Sequence, residues 1–194
     1  MSDAEMEAVT VGGARRLDGP IEIAEYDPDW PRQFDREALR IRAALGGQAL
    51  AIEHVGSTAV PGLAAKPIID IHLVVADAAR EEAYAPPLER AGYRLTIREP
   101  HWFDHRMFKG HKPAVNLHVF SAGCPELERV RLFRDWLRRS PDDAALYATT
   151  KRRLAGMTWA YVQNYADAKQ GVIDEIMARA RAWVAGQAGL GGDL

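Results

Sequence analysis

The segment PIIDIHLVV, residues 67–75, is apolar nearly throughout but carries one aspartate and one histidine. Such an apolar run is typical of a central strand that is buried on both faces. Because side chains alternate along a strand, Asp70 and His72 share one face of it. A buried carboxylate without a partner costs several kcal/mol. We therefore expect Asp70 to lie beside a cation, a metal ion or strong hydrogen-bond donors.

A second predicted strand, AVNLHVF at residues 114–120, places Asn116 and His118 on one face by the same alternation. If the two strands are neighbours with these faces aligned, Asp70, His72 and His118 converge. One carboxylate with two imidazoles suits a divalent transition ion better than magnesium, which prefers oxygen ligands. The alternative is that the two histidines hydrogen-bond Asp70 and fill a polar niche. Spacing alone leaves both interpretations open.

The stretch ahead of the first strand, HVGSTAVPGLAAK, contains Gly56, Ser57 and Thr58 directly after another predicted strand. A glycine there lets backbone N–H groups approach an anion, and the two hydroxyl groups add donors. Lys66 lies four residues before Asp70 and supplies a positive charge. The stretch lacks the GK[ST] ending and the following helix of a P-loop. It predicts either a phosphate-binding turn of another kind or an ordinary turn.

Basic and aromatic residues recur at helical spacing in the last third of the chain. Tyr147 and Lys151 are four residues apart, and so are Tyr165 and Lys169, so each pair shares a helix face. Three arginines also share a face: Arg131, Arg134 and Arg138. Such faces either bind phosphates or are simply solvated.

Three further histidines, His101, His105 and His111, occur in the segment EPHWFDHRMFKGHKP. The spacing of the first two is suggestive of a metal site only on a helix, and this segment is typical of strand and loop. We therefore expect all three to be surface histidines.

The composition limits the classes of partner. The chain has 194 residues, 47% of them apolar, and a formal net charge of −2, which argues against a nucleic-acid partner. The single cysteine, Cys124, excludes an internal disulfide and suits a cytoplasmic protein. Nowhere do about 18 apolar residues occur together, so we expect no membrane partner. No feature of the sequence assigns an oligomeric state.

The order of the predicted elements gives an α+β architecture. Alternation predicts a strand at residues 21–26, and Pro86 and Pro87 are expected to break a helical segment. From Pro125 onward only helical patterns occur, and the last runs from Thr158 to Gly186. The predicted organisation is a disordered leader (1–19), an α+β core (20–124), a C-terminal helical subdomain (125–185) and a flexible tail (186–194).

Several long segments resemble the GrpB-like family, which is placed in the nucleotidyltransferase superfamily. They are YDPDWPRQF, IEHVGSTAVPGLAAKPIIDI, NLHVF, FRDWLRRSPDDAALYATTKRRLA and NYADAKQGVIDEI. The resemblance, from about Ile21 to Ala180, implies a nucleotidyltransferase-like fold: a small mixed sheet with flanking helices, followed by helices that close over the site. In active members of that superfamily a Gly-Ser turn binds phosphates. Three acids on neighbouring strands bind magnesium ions for nucleotidyl transfer.

The resemblance assigns Gly56 and Ser57 to the phosphate turn and Asp70 to the first acid. His72 stands at the second acid position and His118, by the same comparison, at the third. This implies either one divalent ion (magnesium, manganese or zinc) at the site or a mechanism in which His118 acts as a general base. It also implies that four basic residues face the site: Lys66, Arg134, Lys151 and Lys169.

Three functions are consistent with these features. The first is a nucleotidyltransferase-like protein that binds a nucleotide or phosphorylated metabolite with a divalent metal and transfers a nucleotidyl group to an acceptor. The second, motivated by the missing acids, is a binding module without catalysis. The third is a metal-dependent phosphohydrolase that uses Asp70, His72 and His118. The resemblance also suggests the ligand class: family members joined to dephospho-CoA kinase point to a phosphorylated nucleotide or a CoA-related metabolite.

Overall fold

Five strands form one sheet in the computed structural model, which describes residues 2–14, 16, 17 and 19–190. The strands are β1 (Ala51–Val55), β2 (Ile69–Val75), β3 (Arg94–Glu99), β4 (His105–Gly110) and β5 (Val115–Ser121). Their order across the sheet is β1-β2-β5-β4-β3. Strands β2 and β5 pair in parallel, and the other neighbours are antiparallel. The sheet is therefore mixed.

Seven α-helices accompany the sheet within the described residues. They are α1 (Asp3–Val9), α2 (Trp30–Leu45), α3 (Glu81–Arg90), α4 (Pro125–Arg139), α5 (Pro141–Ala155), α6 (Val162–Ala168) and α7 (Gln170–Leu190). Short 3₁₀ turns precede and follow β1, at Gly46–Gln48 and Ser57–Ala59. No helix among the described residues is long and apolar enough to cross a membrane.

One face of the sheet forms the main hydrophobic core against α2 and α3. The alternation of β2 sends Ile69, Ile71 and Leu73 into this core, where they are fully buried. The facing residues of the two helices and of the other strands include Trp30, Ile41, Leu45, Tyr84, Leu88, Phe108, Leu117 and Val119. Burying each side chain of this size stabilises the fold by roughly 1.5–3 kcal/mol. The polar residues of β2 consequently lie on the opposite face.

The C-terminal helices pack together over the turn that follows β1. Val60 and Leu63 from that turn join a cluster with side chains from three helices: Leu137, Tyr147, Ala148 and Ile176. This packing brings α5 next to the Gly56–Ser57 turn. The predicted α+β class, with a mixed sheet followed by helices, is confirmed.

Two predictions for the ends of the chain need correction. The leader, predicted to be disordered, contains α1, whose first turn is capped reciprocally by Ser2 and Glu5. The S-x-x-E pattern at residues 2–5 is the sequence signature of such a capping box. At the other end α7 continues through Gly186 to Leu190, so the predicted flexible tail begins too early. Residues 191–194 lie outside the described residues.

Three internal predictions were also wrong. Residues 21–26 do not form a strand; Ala24 only exchanges two backbone hydrogen bonds with Ala65, of 2.8 and 2.9 Å. Helix α3 continues through Pro86 and Pro87, because burial of Tyr84 and Leu88 holds a short helix that lacks two backbone donors. The final predicted helix is two, α6 and α7.

Candidate functional site

The turn after β1 is built around a close approach of Gly56 to Asp70. Gly56 has φ 69° and ψ −168°, a conformation essentially restricted to glycine. A Cβ atom added there would lie 2.4 Å from Oδ2 of Asp70. The side chain of Asp70 thus packs against the backbone of the turn. Ser57, which follows Gly56 in sequence, begins the 3₁₀ turn. Position 56 therefore requires glycine for two reasons: the backbone conformation of the turn and the close contact with Asp70.

Lysine 151 reaches this turn from α5. Its Nζ donates to Oγ of Ser57 at 2.8 Å and to the carbonyl oxygen of Ala64 at 2.5 Å, and the residue is only 3% exposed. The same Nζ lies 4.6 Å from the ring centroid of Tyr147, one helical turn earlier. The Tyr147–Lys151 spacing in the sequence therefore corresponds to a real pair, directed at the predicted phosphate turn.

Two further lysines stand over one aromatic ring at the same place. Nζ of Lys66 lies 5.6 Å from the ring centroid of Tyr165, and Nζ of Lys169 lies 4.8 Å from it. Tyr165 is buried, and its hydroxyl oxygen has no hydrogen-bond partner among the described residues. Lys66, Lys151 and Lys169, called the lysine cluster below, are three of the five lysines in the chain.

Burial sets the charge balance of the lysine cluster. It lowers the pKa of Lys151 to about 7, with help from the charge of Lys169, and the pKa of Lys169 to about 8, with help from Lys66. Burial also lowers the pKa of Lys66 and raises that of the Asp70 carboxyl. The three ammonium groups oppose the shift at Asp70. One carboxylate thus faces three partly desolvated cations, an excess of positive charge.

The polar face of the sheet carries two rows of side chains across the strands. One row pairs Glu53 with His72 and His72 with His118. The next pairs Asp70 with Asn116, whose Nδ2 donates to Oδ1 of Asp70 at 2.9 Å. The condition set for convergence is met, because β2 and the strand of His118 are neighbours with aligned faces.

The three predicted metal ligands are close together without forming a metal-binding group. Nε2 of His118 lies 4.0 Å from Oδ1 of Asp70, and the rings of His72 and His118 have centroids 5.9 Å apart at 72°. Burial lowers the pKa of His72 to about 4 and that of His118 well below its usual value, so both are neutral. Among the described residues no group of three or more His, Cys, Asp or Glu side chains is arranged to hold a metal ion.

His105 is a site residue that the sequence analysis placed on the surface. It is 3% exposed, its Nδ1 lies 2.6 Å from Oε2 of Glu99, and its Nε2 lies 3.0 Å from Nδ1 of His118. The prediction failed because His105 begins β4, which pairs with β5, and strand order cannot be read from spacing. His101 and His111 are exposed, as predicted.

Other predicted phosphate ligands are engaged elsewhere. Oγ1 of Thr58 lies 3.0 Å from Nε2 of His54 and is buried. Arg134 donates to the carbonyl oxygen of His54 at 3.0 Å and to Asp135 at 2.7 Å. The remaining arginines of that helix face bind Glu53 and the carbonyl oxygen of Ala59: Arg131 and Arg138. This face of α4 fastens the helix to β1 and the turn.

Comparison with known proteins identifies the family. The family described as GrpB protein matches residues 20–179. The chain belongs to the GrpB family. A crystal structure of GrpB from Enterococcus faecalis is similar to this chain with a TM-score of 0.73 and 32% identity, over 84% of this chain and 99% of that one. The shared fold thus includes both the sheet and the C-terminal helices.

Two relatives of this GrpB-family chain are informative. A UPF0157 protein from Halalkalibacterium halodurans is 56% identical over 181 residues, 93% of each chain. A protein from Mycolicibacterium paratuberculosis named dephospho-CoA kinase is 30% identical over 190 residues, which cover 84% of this chain and 47% of that protein. The GrpB-family chain therefore corresponds to about half of the second relative.

Proposed function

We propose that this protein binds a phosphorylated small molecule, a nucleotide or a CoA-related metabolite, between the lysine cluster and the Gly56–Ser57 turn. The observation that carries the proposal is the convergence of three lysines on one carboxylate and one serine hydroxyl. An anion with two or more charges balances this excess of positive charge. Binding it also restores the protonation that burial disfavours at Lys151 and Lys169.

The chemistry of the lysine cluster favours phosphate over a planar carboxylate. Ammonium groups act as point charges that converge on the oxygens of a phosphate, whereas bidentate recognition of a carboxylate uses arginine. Three arginines on α4 are committed to Glu53 and to backbone carbonyl groups: Arg131, Arg134 and Arg138. The buried hydroxyl of Tyr165 supplies a further polar group for a ligand or a water molecule.

The dephospho-CoA kinase relative supports CoA derivatives as probes. Its name describes the whole protein, of which the matching part is 47%, so kinase activity is not transferred to this chain. What the relative suggests is a ligand that carries phosphate groups. Nucleoside triphosphates and CoA derivatives share this feature, and a titration distinguishes them.

The residues present do not fit a two-magnesium centre. Asp70 is the only carboxylate at the lysine cluster among the described residues, since Glu53 is held by Arg131 and Glu99 by His105. Two magnesium ions need several oxygen ligands. The positive charges of the three lysine ammonium groups also repel a divalent cation. A single divalent ion that arrives with the phosphates stays a prediction, and the titrations below include it.

Isothermal titration tests the proposal with ATP, CoA, dephospho-CoA and pyrophosphate, each with EDTA, magnesium or manganese. We expect binding in EDTA by at least one ligand and a loss of about 10- to 100-fold in Lys169→Met, because a charge-assisted hydrogen bond contributes about 1.5–3 kcal/mol. The matched control is Lys112→Met, an exposed lysine before β5. Absence of binding by every ligand, or equal affinity in Lys169→Met, overturns the proposal.

Nucleotidyl transfer is the second candidate, favoured by the position of His118 beside Asp70. Incubation with ATP labelled separately on the α- and γ-phosphate distinguishes the functions. Transfer of the α-label to an acceptor supports a nucleotidyltransferase, whereas release of the γ-label as inorganic phosphate supports a phosphohydrolase. Binding without either product supports a binding module.

A further inference from the structure

Glu99, His105 and His118 form a continuous hydrogen-bonded chain that ends at the candidate site. Oε2 of Glu99 lies 2.6 Å from Nδ1 of His105, and Nε2 of His105 lies 3.0 Å from Nδ1 of His118. The free nitrogen of His118, Nε2, lies 4.0 Å from Oδ1 of Asp70. In His105, Nδ1 contacts Glu99 and Nε2 contacts His118. In His118, Nδ1 contacts His105 and Nε2 faces Asp70.

We infer that in this hydrogen-bonded chain, called the relay below although no proton passes along it, Glu99 and His105 are positioning residues that keep Nε2 of His118 unprotonated. An ionised carboxylate only accepts hydrogen bonds, so Nδ1 of a neutral His105 carries its proton and Nε2 is an acceptor. Nδ1 of His118 must then carry the proton that Nε2 of His105 accepts. Nε2 of His118 is left with a lone pair directed at the site.

Aromatic packing holds the two rings in this arrangement. The rings of His105 and His118 lie 5.2 Å apart at 19°, and Phe120 stacks on His105 at 4.7 Å and 24°. Trp102 meets the edge of the same ring at 5.1 Å and 81°. With His105 almost fully buried, water has little access to the nitrogens that the relay uses. A reversal of the hydrogen-bond directions between Glu99, His105 and His118 therefore requires a change at Glu99.

The surroundings of His118 keep it neutral. Burial lowers its pKa well below the usual value, and any charge on His105 or His72 would lower it further. The groups that face His118 across the strands are His72 on β2 and Met107 on β4, with Asp70 one row away. With Nδ1 bonded to His105 and Nε2 directed at the site, His118 is placed to accept a proton at Nε2.

The relay assigns a reaction class to the site, and this assignment rests on the proposed phosphate binding. An acceptor hydroxyl group or water gives its proton to Nε2 of His118 while its oxygen forms a bond to phosphorus. The bond from phosphorus to the leaving group breaks, and the electron pair leaves with the departing phosphate, whose charge the lysine cluster offsets. The positive charge on His118 is shared through His105 with Glu99. The proton leaves with the product or to solvent.

The test is the tautomeric state of His118 in uniformly ¹⁵N-labelled protein at pH 8, read from long-range ¹H–¹⁵N correlations. We expect the Nδ1–H tautomer in both His105 and His118, which is the form that free histidine disfavours. In Glu99→Gln the amide can donate as well as accept, so we expect the Nδ1–H pattern of His118 to be lost. The matched control is Glu53→Gln. Glu53 is paired with His72, on the other side of His118 from His105, so this variant should keep the Nδ1–H tautomer of His118.

The outcomes separate the relay from the proposed function. An Nε2–H tautomer of His118 in the unmodified protein overturns the relay, whatever the ligand titrations give and even if Glu99→Gln fails to fold. An unchanged His118 pattern in folded Glu99→Gln also overturns it. The expected tautomers without binding of any phosphate ligand would leave the relay standing and refute the proposed function.

Discussion

The ammonium group of Lys151 bridges Oγ of Ser57 and the carbonyl oxygen of Ala64, at 2.8 and 2.5 Å. One buried cation thereby joins α5 to both sides of the turn that follows β1. Because its pKa is about 7, its charge changes within the range in which a protein is ordinarily handled. Both ligand binding and stability should therefore depend on pH near neutrality.

Phosphate binding should weaken as the pH rises. Lys151, with a pKa of about 7, and Lys169, with a pKa of about 8, lose their charge between pH 7 and 9, whereas His72 and His118 are neutral throughout. We expect the affinity for pyrophosphate to fall by about tenfold or more over this range. Titrations at pH 7, 8 and 9 measure it. Lys169→Arg keeps its charge and should show a smaller fall; an affinity that rises with pH contradicts the assignment.

The stability of the ligand-free protein should increase as the pH rises. Between pH 7 and 9 the folded protein binds fewer protons than the unfolded one, because burial lowers the pKa of Lys151 from its ordinary value near 10.5 to about 7. The free energy of unfolding should then rise by about 1–3 kcal/mol from pH 7 to 9. Urea unfolding in an anion-free buffer measures it. Lys151→Met should reduce the slope and leave the part due to Lys169, whose pKa is about 8, whereas Lys112→Met should leave the slope unchanged.

The contact between Gly56 and Asp70 predicts a severe effect of a single methyl group. Gly56→Ala should destabilise the protein by about 1–3 kcal/mol more than Gly62→Ala, because only the first forces Asp70 to move. Both glycines have positive φ, 69° and 77°, but a Cβ at Gly62 meets nothing within 4 Å. Urea unfolding of both variants measures this difference, which contains the clash and the backbone strain specific to Gly56. Equal losses would show that Asp70 moves aside freely.

Arg134 should matter for stability and not for ligand binding. Its guanidinium group donates to the carbonyl oxygen of His54 and to Asp135, and lies 3.7 Å from Glu53. We expect Arg134→Met to lower the free energy of unfolding by about 1–3 kcal/mol, because the partly buried carbonyl oxygen of His54 loses its donor. The affinity for pyrophosphate should stay within about twofold. A tenfold loss of affinity in a folded variant would place Arg134 in the anion site.

Local spacing was enough to predict the parts of the site that depend on one element. The alternation of β2 gave the shared face of Asp70 and His72, and helical spacing gave the Tyr147–Lys151 and Tyr165–Lys169 pairs. The proximity of His118 to Asp70 followed from the sequence only on the condition that their two strands are neighbours. These features follow from the periods of strand and helix.

Features that depend on tertiary neighbours were missed. His105 has the same local surroundings as an exposed histidine, and only the pairing of β4 with β5 buries it against His118. The arginines of α4 have the spacing of a basic surface, but the docking of α4 on β1 commits Arg131 and Arg134 to Glu53. Neither the order of strands nor the partner of a helix face is encoded in short spacing.

The parallel pairing of β2 with β5 affects the chain while it is being made. Asp70 and Asn116, which meet across these strands, are 46 positions apart, and the β3–β4 pair lies between them in sequence. A chain synthesised from its N-terminus therefore exposes one edge of its most apolar strand until Ser121 has emerged. An unpaired apolar edge is a template for association with other chains. Between the emergence of Val75 and that of Ser121, this edge of the nascent protein is therefore open to association with other chains.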